Sequence, residues 1–89
     1  MVDSPSRIAL AEAIGTFTLV FAGVLAISAG TLSGDPAAGN LSTVAFAHGL
    51  AIMVMVAALG AISGGHFNPA ITLGFVVAGR MPIGRAALY

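Results

Sequence analysis
The sequence predicts an all-α membrane protein: two transmembrane helices, a re-entrant loop carrying a half-helix, and the start of a third helix. Three observations predict it. Hydrophobic residues make up 58% of the 89 residues and charged residues only 7%, against the roughly 25% charged of a soluble domain. The formal charges, Asp3, Arg7, Glu12, Asp35, Arg80 and Arg85, leave residues 13–34 and 36–79 uncharged, and each stretch exceeds the roughly 18 residues that mark a membrane span. A run of helix breakers, Ser63-Gly64-Gly65-His66-Phe67-Asn68-Pro69, interrupts the second stretch.

The first span is predicted over residues 9–29, roughly the 20 residues a bilayer requires. It ends before Gly30, Ser33, Gly34, Asp35, Pro36, Gly39 and Asn40, a turn-forming run that predicts a connecting loop over 30–42. Arg7 and the small residues Ala26-Ile27-Ser28 loosely resemble a signal peptide. Cleavage there would release a product still mostly apolar, so a membrane span is the reading carried forward. Ser42 or Thr43 is predicted to cap a second helix, about 43–62 with the cap and 44–62 without it, the latter near 28 Å long and so able to cross a core of about 30 Å.

Paired glycines loosen that helix at Gly64-Gly65, and the residue before a proline is pushed away from helical dihedrals, so a break is predicted at 63–68. Residues 69–79 then read as helical again but reach only about 16 Å, half the hydrocarbon thickness. The alternative, one helix over 44–79, would be about 54 Å long and would enclose both breaks. Arginines in short loops favour the cytoplasmic side. Arg7 therefore places the N-terminus inside, and Arg80 with Arg85 places the chain inside again after 79. The segment between enters and leaves by one face, and irregular backbone at that depth is tolerated only where it is buried in protein or lines a watery cavity.

Asn68-Pro69 predicts the start of the half-helix. Asparagine is among the best N-caps and proline is favoured at the first helical position. With its side-chain oxygen accepting from Ala70 or Ile71, Asn68 has its NH₂ left to donate outward. The helix dipole adds about half a positive charge at that end, which disfavours cations and protons moving along water.

The run from Ser63 to Thr72, Ser-Gly-Gly-His-Phe-Asn-Pro-Ala-Ile-Thr, resembles the first Asn-Pro-Ala signature of the aquaporin and aquaglyceroporin family. Ala11-Glu12-Ala13-Ile14-Gly15-Thr16-Phe17 resembles the opening of that family's first helix and Gly49-Leu50-Ala51-Ile52 its second. Ile71 in place of the commoner valine is a conservative departure. The resemblance implies half of an inverted-repeat fold, a passive channel for water or small uncharged solutes such as glycerol, and a homotetramer in the cell membrane. It implies a pore lined by Gly64, Gly65, His66, Asn68, Pro69 and Ala70, with backbone carbonyls as acceptors and Asn68 as the midplane donor. It implies that Glu12 is a buried carboxylate bonded to this loop or to His66, the alternative being a place at the membrane interface. His48, 20 residues before Asn68, stands where similar channels carry a selectivity-filter residue. A histidine in a span is expensive and usually faces a cavity or a partner, an interhelical hydrogen bond being the alternative.

Gly49, Gly60 and Gly64 are expected at close helix contacts, and Phe17, Phe21, Met53 and Met55 in lipid or core. With no cysteine, no lysine and a net charge of zero, no enzyme, cofactor, metal or nucleic-acid partner is expected. Pro82 begins a third helix that stops at Tyr89, and the sequence holds no second Asn-Pro-Ala. The chain is therefore expected to be a fragment lacking the second half of the channel, either non-conducting alone or part of a broken-helix transporter.

Overall fold
The computed structural model describes residues 4–89, so Asp3 lies outside the described residues. Among them the chain is helical and forms no strands. In order come α1 (Pro5–Ser33), a 3₁₀ turn (Pro36–Gly39), α2 (Leu41–Ser63), α3 (Pro69–Val77) and α4 (Ile83–Ala86).

α1 runs four residues further at each end than the predicted 9–29. Its start is set by Ser4, whose Oγ accepts from the Arg7 N–H, and by Pro5 at the first helical position. At the other end Gly30 is absorbed into the helix. The stop comes at Gly34, in the left-handed conformation that glycine adopts without a Cβ clash (φ 75°). The connection folds back on α1: a Cβ on Gly39 would sit 3.0 Å from the Ile27 carbonyl oxygen. Asn40, predicted as loop, is the cap of α2, its Oδ1 accepting from Thr43 N–H at 2.9 Å. α2 accordingly starts at Leu41, and neither Ser42 nor Thr43 caps it.

α1 and α2 pack against each other, whereas α3 packs with α4 and joins the pair through the 64–68 loop. The buried apolar residues are few, Ile8, Ala11 and Phe67, and they gather at the N-terminal end of α1 around the polar residues Glu12, Ser63, His66 and Thr72. Elsewhere large apolar side chains face outward, among them Phe17, Phe21, Phe46 and Met53, each more than half exposed. The exposed apolar area exceeds what a water-soluble surface carries and is what a bilayer solvates. At about 1.5 Å per residue α1 and α2 are roughly 43 and 34 Å long, and both are apolar enough to cross a membrane.

The close approaches fall elsewhere than expected. A Cβ on Gly49 would meet nothing within 4 Å, and one on Gly60 only Val56 of its own helix. One on Gly64 would meet only the His66 ring, at 3.7 Å, whereas the tightest approaches are those of the Phe67 and His48 rings to Gly15 and Gly23 of α1. Sequence spacing alone does not show which face of a helix its neighbour occupies.

Candidate functional site
The break after α2 is built from unusual backbone. Gly64 (φ 92°) ends α2, its N–H donating to the Gly60 carbonyl at 2.7 Å, and Gly65 (φ 69°) continues the left-handed path. Phe67 is also left-handed (φ 52°), the one described non-glycine residue that is. Such a conformation costs about 1–3 kcal/mol and persists where surroundings enforce it. Two contacts do so. The Phe67 N–H donates to Glu12 Oε1 at 3.0 Å, and its ring, 2% exposed, lies flat against Gly15, where a Cβ would fall 2.1–2.6 Å from three ring carbons.

Glu12 is 4% exposed. Its Oε2 accepts from the Ser63 hydroxyl at 2.5 Å, and Ser63 Oγ in turn accepts from Gly65 N–H at 3.2 Å. One carboxylate of α1 thus ties the last residue of α2 to the loop beyond it. The His66 side chain, named with this carboxylate as a possible partner, bonds instead to Thr72: its Nδ1 lies 2.8 Å from Thr72 Oγ1. The imidazole is stacked between Phe75 at 4.8 Å and Tyr89 at 4.3 Å, measured between ring centroids. The Tyr89 hydroxyl donates to the Ser63 carbonyl, satisfying one of the orphan acceptors at the end of α2.

Asn68 is extended and caps α3, with Oδ1 accepting from Ala70 N–H at 2.8 Å. Pro69 and Ala70 form the exposed first turn. Among the described residues the carbonyls of Gly64, Gly65 and His66 accept no hydrogen bond from the chain, and the Asn68 NH₂ donates to none. Three acceptors in succession, followed by an oriented donor, are therefore left without a partner among the described residues.

His48 stands apart from this cluster, fifteen residues before Ser63 and so about 22 Å along α2. It is half-buried, and Nδ1 lies 2.8 Å from the Val44 carbonyl. Because a carbonyl only accepts, Nδ1 carries the proton. The face of its Nε2 corner lies against Gly23.

Gly15, Ser63, Phe67, Thr72, Phe75 and Tyr89 were not singled out as site residues. Ser63, Phe67 and Thr72 lie within the signature run. Gly15 lies within the first-helix run, while Phe75 and Tyr89 carried no signal of their own.

The family model described as "Major intrinsic protein" matches residues 2–89. Aquaporin NIP1-4 of Oryza sativa subsp. japonica is 51% identical over 80 residues, covering 90% of this chain and 28% of the relative. Aquaporin TIP4-4 of Zea mays is 51% identical over 87 residues, 93% of this chain and 34% of the relative. Aquaporin Z of Rhodopseudomonas palustris is 48% identical over 81 residues, 90% of this chain and 33% of the relative. The chain spans about a third of the length of these curated relatives, and no solved structure matches it significantly. With the match running over nearly every residue and the two long apolar helices around it, this membrane chain belongs to the major intrinsic protein family.

Proposed function
We propose that the chain forms one half of a passive membrane channel for water and small uncharged solutes such as glycerol. The observation that carries this reading is the row of free carbonyls at Gly64, Gly65 and His66 leading to the Asn68 amide. Inside a bilayer, backbone acceptors with no chain partner cost several kcal/mol each unless water or a solute meets them, so such a row belongs beside a wet conduit. Gly64, Gly65, His66, Asn68, Pro69 and Ala70 line it, His48 forms part of the selectivity filter, and Glu12 braces the loop.

The N-terminus is cytoplasmic, and 63–79 dips in and returns on that side, as Arg7, Arg80 and Arg85 favour. The positive end of α3 opposes cations and protons, a barrier general to aquaporin-type pores. A second, inverted half supplies the opposing half-helix, and four copies assemble in the cell membrane.

Proteoliposomes carrying the full-length protein are expected to swell osmotically well above empty vesicles while a trapped pH dye reports no proton flux. Folded, reconstituted protein that swells no faster than empty vesicles sinks the proposal.

A further inference from the structure
We infer that Gly23 on α1 is the positioning residue for the His48 imidazole and through it a determinant of solute selectivity. The inference rests on the assignment of His48 to the filter. Gly23 is buried, and a Cβ placed there would lie 2.2 Å from His48 Nε2, 2.6 Å from Cε1 and 2.9 Å from Cδ2. A Cβ that close to Nε2 and still within 3 Å of both its ring neighbours would lie over the ring face, so the imidazole rests on α1 with the face of its Nε2 corner against Gly23, where only a hydrogen fits.

A flexible side chain would swing clear of an added methyl group. This ring is held at its other end, because Nδ1–H donates to the Val44 carbonyl one turn back. Moving the ring away from Gly23 strains or breaks that bond.

The chemistry presented to a solute follows from the same two contacts. With the proton on Nδ1, Nε2 of the neutral ring is an acceptor. Nε2 has no partner among the described residues. None of their fully enclosed side-chain nitrogens and oxygens lacks a partner, so Nε2 is not sealed off, and in the proposed pore its partner is a hydroxyl or a water. Gly23 sets how deeply this acceptor retreats toward α1, hence the width left beside it.

The test compares four versions of the full-length channel in proteoliposomes: wild type, Gly23→Ala, His48→Ala and the double variant. Stopped-flow permeabilities to water and glycerol are measured, with the His48 ring ¹⁵N shifts as a second readout. Where glycerol is not conducted, water alone carries the comparison.

In the wild-type background Gly23→Ala is expected to lower the glycerol-to-water ratio by roughly two- to tenfold, the weight of about one hydrogen bond. It also disturbs the Nδ1–H tautomer pattern. In the His48→Ala background the same change is expected to do nothing. An equal shift in both backgrounds, or an unmoved ratio in Gly23→Ala where His48→Ala moves it, overturns the inference. If His48→Ala itself leaves permeation unchanged, the filter assignment falls and the inference with it. Should Gly23→Ala fail to assemble, normal assembly of the double variant upholds the contact, and its failure refutes it.

Discussion
Glu12 accepts from two donors more than fifty positions away, Ser63 at 2.5 Å and Phe67 N–H at 3.0 Å, and all three groups are shut off from solvent. Glu12→Ala leaves both donors without their acceptor, and an orphaned buried donor costs about 1–3 kcal/mol. Thermal unfolding of the full-length protein in detergent is expected to show a loss of about 2–4 kcal/mol, with Glu12→Gln losing less because one acceptor oxygen remains. An alanine variant as stable as wild type would remove Glu12 from this account. Gly15→Ala drives a methyl into the Phe67 ring and is expected to cost about 1–3 kcal/mol by overpacking. At this scale the sequence was legible where chemistry is local. Asn68-Pro69 announces its own cap, made to Ala70 two residues on. The partners of Glu12 are separated by 51 and 55 positions, and no spacing rule links them. The Phe67 ring chooses Gly15 only once α1 and the loop are side by side.

Whole elements were legible to within a turn, with errors tracing to end signals. In α1 the predicted stop at Gly30 gave weight to a glycine that the helix accommodates, while Gly34 in the left-handed conformation is the actual stop. Asn40 was counted as turn and proved to be the cap of α2. α3 shows both kinds of end signal. Asn68 opens it, and a Schellman closure ends it, Gly79 N–H donating to Val76 and Arg80 N–H to Phe75 at 3.1 and 2.9 Å. Gly79 has φ 74°, so Gly79→Ala is expected to cost about 1 kcal/mol by forcing a Cβ into the left-handed region. Asn68→Ala removes a cap worth about 1 kcal/mol, and amide exchange at Ala70 should quicken by roughly fivefold. Unchanged exchange would mean that the Asn68 oxygen does not hold the first turn.

At the scale of the molecule, its longest dimension is 47 Å, comparable with the roughly 40–45 Å of a bilayer including headgroups. α1 and α2 each suffice to cross, whereas the nine residues of α3 reach about 14 Å and do not. The proposed half-channel therefore carries the obligation that the chain return to the face by which α3 entered. That obligation can be read directly, since the sequence contains no cysteine and any cysteine introduced is a unique label within it. Thiols placed at Ser4, Ala37 and Met81, away from the buried cluster, are expected to divide into two classes in sealed inside-out and right-side-out vesicles. Ser4→Cys and Met81→Cys should react with an impermeant maleimide from the cytoplasmic side, and Ala37→Cys from the opposite side. If Met81→Cys reacts with Ala37→Cys, the segment 63–79 has crossed the bilayer. The free carbonyls of Gly64, Gly65 and His66 would then lie in a through-going path, and the half-channel reading would lose its geometric basis.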